Sequence, residues 1–183
     1  NTTAVKRAAL GIRKSEPEAV AMICPYAPCA AFVRTARAID LDAVFFTISF
    51  AGAHAVAVEL GRDAEGVLMS QVTPFPDDPD SVLAARYRAA LRALDPAADP
   101  GFVSFEGYLA GRLAVEALRR AGDTPTRSGL LDAIFASGPI DLDGLELRFG
   151  PGDNQGLDEV WLSRLGGGGH IEPVGHAPDG EVD

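Results

Sequence analysis

Two turns early in the chain carry the side chains whose types and spacing could do chemistry. The first turn follows a short apolar run at residues 19–24 and carries Tyr26, and the second follows an apolar run at residues 43–48 and carries Ser49. In an open parallel α/β sheet, the turns after the strands line a crevice beside helix N-termini, where small ligands bind. If the two strands are neighbours, Tyr26 and Ser49 share that crevice. The sequence therefore favours binding of a small molecule.

Catalysis has weaker support in the same residues. Ser49 and His54 are close along the chain, but no Gly-x-Ser-x-Gly turn surrounds the serine and no acidic residue is placed to orient the histidine. The first strand is not followed by Gly-x-Gly-x-x-Gly, which argues against a dinucleotide site. We expect no catalytic residue and no cofactor, and an α/β hydrolytic enzyme is the least favoured alternative.

The two cysteines, Cys24 and Cys29, flank the first turn. A local disulfide in an oxidising compartment and a pair of small buried thiols are both compatible with this spacing. We favour the thiols, because a disulfide requires a Cα separation of about 4.4–6.8 Å that sequence does not establish. A zinc site is the least favoured, since the chain has no further cysteine and its three histidines show no ligand spacing. We expect no metal site.

Charge and hydropathy limit the class of partner. The 183 residues carry a formal net charge of -10 and a pI near 4.7, whereas a phosphate backbone or an anionic membrane surface selects a basic face. No apolar run approaches the length of about 20 residues that a bilayer span needs. We expect a small-molecule or protein partner, no nucleic acid and no membrane span in this chain.

Helical and strand patterns alternate around the two turns. Strands are predicted at residues 19–24, 43–48 and 66–72, with a helical pattern before each of them. Such alternation predicts an α/β fold with a parallel sheet. The first strand is continuously apolar, which is typical of a parallel strand covered by helices on both faces.

The pattern changes at residues 74–80, where three prolines fall within seven residues and predict a crossing between structural units. Beyond this crossing the periodicity predicts three helices and then a hairpin. The helices are residues 81–94, 104–121 and 126–136, and the hairpin strands are residues 144–149 and 160–162.

Three motifs occur in a recognisable order along this framework. They are Tyr-Ala-Pro at residues 26–28, Glu-Gly-Tyr-Leu-Ala at residues 106–110 and Phe-Gly-Pro-Gly-Asp-Asn-Gln-Gly at residues 149–156. Together they resemble type 1 periplasmic binding proteins, in particular the leucine/isoleucine/valine-binding (extracellular ligand-binding receptor) type that serves ABC transporters. The resemblance extends from residue 1 to about residue 174.

The resemblance implies an α/β, periplasmic binding protein type 1 fold with two lobes and a hinge. By this likeness, residues 1–73 are part of the second ligand-binding lobe and residues 74–80 are the hinge crossing. Residues 81–162 are the returning part of the first lobe, and residues 163–183 are a third crossing, with the glycine run near it, and a C-terminal tail. The first half of the family's length has no counterpart here, so the resemblance implies the C-terminal part alone and an incomplete fold.

The same resemblance assigns ligand-binding roles. Tyr26, with Ala27 beside it, occupies the place of an aromatic ligand contact. Ser49 or Phe50 stands where amino-acid binders of this type hold an acidic residue that pairs with the ligand ammonium, and Glu106 is a candidate contact from the first lobe. Since no carboxylate stands at Ser49 or Phe50, we expect an amino acid whose ammonium is met elsewhere, or an organic or aromatic acid.

Each of these residues also has a structural explanation. The Tyr26 ring can pack over a helix end, Ser49 can cap the following helix, and Glu106 can favour the positive end of its own helix. These alternatives stay open at the level of sequence.

As a whole, the resemblance implies the extracytoplasmic solute-binding component of an ABC importer, with its signal peptide removed. It would bind a small amino acid or related organic acid between two lobes by hinge closure, with a permease as partner and the bacterial periplasm as location. The alternative is the ligand-sensing domain of a signalling receptor.

Overall fold

The computed structural model describes residues 2–136 and 138–177. They form two compact units, and the chain passes between them after Val72 and again before Val160. Residues 2–72 and 160–177 belong to the first unit, and the described residues of 73–159 belong to the second. Within the described ranges, no helix has the length and apolar character needed to cross a membrane.

Six α-helices and seven strands follow one another among the described residues. In chain order they are α1 (Lys6–Arg13), β1 (Ala19–Met22), α2 (Tyr26–Ala38), β2 (Val44–Ile48), α3 (Ala53–Leu60), β3 (Val67–Gln71), α4 (Val82–Leu94), α5 (Phe102–Ala121), α6 (Arg127–Ala136), β4 (Ile140–Leu142), β5 (Leu145–Leu147), β6 (Val160–Leu165) and β7 (Ile171–Ala177).

The first unit is built on a five-stranded sheet of order β1-β2-β3-β6-β7. β1, β2 and β3 are parallel neighbours, with Met22 opposite Thr47 and Thr47 opposite Met69. β6 runs antiparallel to β3, and β7 antiparallel to β6. The three predicted strands and the α/β class are confirmed, and the sheet is mixed because the two added strands run the other way.

The sheet of the first unit is buried on one face. Along β1 the exposed and buried residues alternate, so that Val20 and Met22 are buried whereas Ala21 is exposed. The buried face lies under α2, where the rings of Phe32 and Phe45 meet edge to face at 6.4 Å. The prediction that β1 is covered on both faces is therefore wrong for the described residues, because Ala19 and Ala21 on its other face are exposed.

The second unit is organised by α4 and α5. Ser81 caps α4 by accepting a hydrogen bond from the Ala84 amide at 3.1 Å, as Ser does at a helix N-terminus. Tyr87 of α4 stacks on Phe105 of α5 with ring centroids 4.6 Å apart, and both side chains are buried. The predicted helices at 81–94, 104–121 and 126–136 are all confirmed.

β4 and β5 form a two-stranded hairpin in the second unit. Asp143 and Gly144 make its turn with φ angles of 62° and 99°, the positive values that a type I′ turn requires. The predicted hairpin between residues 144–149 and 160–162 is wrong, since β5 takes the closer strand β4 as its partner. The Gly150–Asp153 bridge makes a separate local turn.

β6 lies in the first unit. Residues 160–162, predicted with the returning part of the first lobe, begin a strand that pairs with β3 of the first unit. Residues 163–165 complete that strand, and Gly167–Gly169 lies in the connection from β6 to β7. The chain leaves the second unit before Val160, and the division into lobes and crossings stays a prediction. The sequence also predicts a disordered tail from Gly175. Residues 175–177 instead complete β7, and the rest of the tail lies outside the described residues.

Asp143 links three elements of the second unit electrostatically. One carboxylate oxygen accepts a hydrogen bond from Arg112 of α5 at 2.8 Å, and the other pairs with Arg86 of α4 at 2.6 Å. The hydrogen bond from Arg112 lowers the pKa of the Asp143 carboxyl below its usual value, and burial opposes that shift. The β4–β5 turn is thereby tied to both helices.

This network predicts a pH-dependent contribution to stability. Because the folded-state pKa of Asp143 lies below its unfolded value, its contribution is full above the unfolded pKa and is lost as pH falls through the folded pKa. Asp143→Asn, which keeps a residue tolerant of positive φ, should lower the Tm of the intact protein at pH 7 and make progressively less difference below about pH 4.

Thermal unfolding of both proteins across this pH range checks the prediction. Asp123→Asn, at an exposed position outside the ion pairs of the described residues, is the control and should leave the Tm unchanged. An Asp143→Asn deficit that is the same at pH 3 and pH 7 would exclude an electrostatic origin.

Candidate functional site

The first predicted turn lies between β1 and the N-terminus of α2. Pro25 is the N-cap residue, and no side chain caps the helix. The first intrahelical bond runs from the Cys29 amide to the Pro25 carbonyl, so the amides of Tyr26 and Ala27 have no acceptor inside the helix. Pro28 has no N–H group to satisfy. The turn therefore presents two backbone donors at the positive end of a helix, a combination that attracts carboxylate and other anions.

The second predicted turn lies between β2 and α3. Ser49 and Phe50 lie in a single 3₁₀ turn, Ser49–Ala51, and Gly52 at φ 76° redirects the chain into α3. The Ser49 hydroxyl does not cap α3 and makes no hydrogen bond within the described residues. The structural explanation of Ser49 as a cap of the following helix is therefore not observed.

The structure brings the two turns to the same edge of the sheet. β1 and β2 are parallel neighbours in register from Ala19↔Val44 to Met22↔Thr47, so Tyr26 and Ser49 both follow the carboxyl ends of adjacent strands. Tyr26 is 47% exposed and Phe50 is 72% exposed, and the Tyr26 ring has no aromatic partner in the described part of the chain. Exposed aromatic side chains at such an edge are available to a ligand.

Cys24 and Cys29 form a disulfide across the first turn. Their Cα atoms are 5.7 Å apart, within the range that a disulfide requires. The favoured interpretation as two thiols is wrong, because the tight passage from β1 into α2 brings the two residues together. The disulfide encloses Tyr26 and Ala27 between its two cysteines.

Two further apolar residues at this edge were not predicted. Ile23 directly follows β1 and is 82% exposed, and Val72 directly follows β3 and is 49% exposed. Only their position in the sequence could have indicated them, because each is the first residue after a strand whose last residue is buried. With Tyr26 and Phe50 they give the edge an apolar character.

Glu106 lies in the second unit, on the exposed side of α5. It forms no ion pair within the described residues. Its ligand-binding role stays a prediction.

The predicted residues lie on an open rim. Two surface depressions occur elsewhere, one of about 550 Å³ beside α1 and one of about 460 Å³ near the C-terminal end of α5. Neither is lined by Tyr26, Ser49 or Phe50. Among the described residues, no group of three or more His, Cys, Asp or Glu side chains is arranged to hold a metal ion.

The fold agrees with the comparison to known families. Residues 1–170 match the periplasmic binding protein family, and the chain belongs to that family. A comparison with curated proteins finds no match.

Solved structures share the fold of this chain. A possible leucine/isoleucine/valine-binding protein from Rhodopirellula baltica SH 1 is 33% identical with a TM-score of 0.87, over 94% of this chain and 47% of that chain. An extracellular ligand-binding receptor from Verminephrobacter eiseniae is 26% identical with a TM-score of 0.81, over 94% of this chain and 49% of that chain. A solute-binding protein of an ABC transporter from R. palustris, in complex with benzoate, is 17% identical with a TM-score of 0.74, over 100% of this chain and 49% of that chain.

The resemblance to type 1 periplasmic binding proteins of the leucine/isoleucine/valine-binding type is thus confirmed. The chain spans about half the length of the structures it matches. The family and these neighbours are substrate-binding proteins rather than enzymes.

Proposed function

We propose that this chain belongs to the extracytoplasmic solute-binding component of an ABC importer, and that Tyr26, Ala27, Ser49 and Phe50 contact its ligand. The observation that carries the proposal is the edge of the first unit's sheet, where exposed aromatic side chains stand beside an uncapped helix N-terminus. An apolar surface with a few polar groups is the usual composition of a small-molecule site.

The chemistry of the edge supports a ligand with a carboxylate and a small apolar body. The amides of Tyr26 and Ala27 can donate to a carboxylate, since they have no intrahelical acceptor. Ile23 and Phe50 offer apolar surface. A small amino acid or a related organic acid has both features.

The ammonium group of an amino acid has no partner in the two turns of the first unit. Neither turn contains an acidic residue, so recognition of an amino acid would need a carboxylate from another segment, for which Glu106 is the candidate. An acid without an ammonium needs no such partner. The R. palustris protein with the same fold binds benzoate, which is such an acid.

A periplasmic location and a permease partner complete the proposal. The Cys24–Cys29 disulfide is typical of an oxidising compartment such as the bacterial periplasm. Family membership supports delivery of the ligand to a membrane permease, and nothing in the acidic composition favours a nucleic acid.

A thermal-shift screen of the intact protein tests this function. The panel comprises aliphatic amino acids, small aliphatic carboxylates and aromatic acids, with the amides of the same acids as controls for the carboxylate. A ligand that binds only the folded protein raises stability by RT ln(1 + [L]/Kd), so we expect at least one acid to raise the Tm and its amide to have no effect.

The pattern of hits also decides the ligand class. A shift with acids that lack an ammonium would agree with the uncharged turns at Ser49 and Phe50, and a shift with amino acids alone would require a carboxylate from elsewhere. No shift across the whole panel would contradict the proposal and favour the receptor-sensor or enzyme alternatives.

A further inference from the structure

The disulfide closes a short ring around the proposed ligand-contact residues. Cys24 is the second residue after β1, and Cys29 lies in the first turn of α2. The ring spans residues 24–29 and contains Tyr26 and Ala27. The two proposed ligand-contact residues therefore lie between the two bonded cysteines.

Two prolines make this ring stiffer than its length alone implies. Pro25 and Pro28 have their φ angles fixed by their rings, and Pro25 has φ -62° at the N-cap. Both cysteines are restrained by the disulfide. Ala27 is restricted as well, because it directly precedes Pro28. Within residues 24–29, Tyr26 alone keeps the ordinary freedom of both backbone dihedrals, and it has entered the helix.

The ring is also tied to the neighbouring strand. Cys29 and Thr47 are both fully buried, and the Cys29 Sγ lies 3.6 Å from the Thr47 Oγ1. The Thr47 hydroxyl donates to the Met22 carbonyl at 3.1 Å. Because Thr47 is two residues before Ser49, these contacts connect the end of β1, the end of β2 and the start of α2.

Tyr26 itself has little else to fix its position. Its side chain is about half exposed and forms no hydrogen bond or aromatic contact within the described residues. Its placement at the edge is therefore set by the backbone of residues 24–29. A ring this short also removes less entropy from the unfolded chain than a long one, so its main effect is local.

From these observations we propose that the Cys24–Cys29 disulfide is a positioning device that holds Tyr26 and Ala27 in their binding conformation. This inference rests on the proposed function. Pre-ordering a contact before the ligand arrives lowers the entropic cost of binding. Loss of the disulfide should therefore reduce the free energy of binding more than it reduces the free energy of unfolding.

The test compares the oxidised intact protein with the same protein reduced by a phosphine and with the double variant Cys24→Ser, Cys29→Ser. Affinity is measured by calorimetry with benzoate and L-leucine as probes, and stability by Tm. Hydrogen exchange reports the first turn of α2 directly through the Cys29 amide, which bonds to the Pro25 carbonyl at 3.2 Å in the oxidised protein; in the double variant the amide of Ser at position 29 is followed.

We expect faster amide exchange at position 29 in the reduced wild-type protein and in the double variant, with unchanged exchange in the later turns of α2. Affinity for whichever probe the oxidised protein binds should fall by about tenfold or more, and reoxidation of the wild-type protein should restore it. Val33→Ala is the matched control, since Val33 is fully buried on the same helix outside the ring. It should lower the Tm while leaving affinity within about twofold, because the ring is intact.

Two results would overturn the inference. The first is unchanged amide exchange at position 29 after reduction. The second is a loss of affinity in Val33→Ala that equals the loss in the reduced protein, at the same loss of Tm. If the oxidised protein binds neither probe, the proposed function fails for these ligands, and the exchange at position 29 still decides the positioning role: faster exchange on reduction supports it and unchanged exchange refutes it.

Discussion

Replacing Tyr26 with Ala should weaken ligand binding by more than about 1 kcal/mol, the lower range for loss of a well-placed interface aromatic. This corresponds to about a fivefold rise in Kd. The physical reason is that Tyr26 offers a half-exposed ring at the sheet edge and has no structural partner of its own, so the ligand is the group that covers it. Calorimetric titration of the intact protein with the acid selected by the thermal-shift screen measures the effect.

Val58→Ala is the matched control for this substitution. Val58 is exposed on α3 of the same unit, away from the two turns in the sequence, and its truncation should leave Kd and Tm unchanged. Because the Tyr26 side chain has no hydrogen bond within the described residues, Tyr26→Ala should also preserve the Tm of the free protein. Equal affinities for wild-type protein and Tyr26→Ala would remove this residue from the site.

Replacing Phe105 with Ala should destabilise the second unit by about 3–5 kcal/mol, the usual cost of removing a fully buried phenylalanine. Phe105 is 0% exposed and stacks on Tyr87. The Tyr87 hydroxyl accepts from the Gly101 amide at 2.9 Å and lies 2.6 Å from the Ser104 hydroxyl. A cavity beside Tyr87 would therefore loosen the start of α5 as well as remove apolar contact.

Chemical unfolding of the intact protein in urea checks this expectation through the midpoint of the transition. Val103→Ala on the same helix is the control, since Val103 is 70% exposed and surface truncations usually change stability by no more than about 0.5 kcal/mol. A Phe105→Ala midpoint equal to that of Val103→Ala would show that the Tyr87–Phe105 stack does not hold the unit together.

The edge of the first unit was predictable because its determinants are local. The runs at residues 19–24 and 43–48 are rich in apolar, β-branched and aromatic residues, which favour strands. A helix between two parallel strands places both following turns at one edge. The register of β1 with β2 then brings Tyr26 and Ser49 to that edge, as the residue order indicates.

The features that escaped prediction depend on distances that residue order does not contain. The pairing of Cys24 with Cys29 follows from a Cα separation of 5.7 Å, which the backbone path between β1 and α2 determines. β6 pairs with β3 across a long stretch of chain, and an alternating pattern at its start is equally compatible with a nearby hairpin. The β4–β5 hairpin is the exception, because Asp143-Gly144 is a strong hairpin signal in the sequence itself and indicates that β4 is the partner of β5.

A crystal structure of the intact protein with the acid selected by the thermal-shift screen would test the central claim most directly. The claim is that the carboxyl edge of the first unit's sheet holds the ligand. We expect ligand atoms within contact distance, about 4.5 Å, of Tyr26 and of Ser49 or Phe50, with the ligand carboxylate at the N-terminus of α2. A ligand bound with no atom near either turn would contradict the claim.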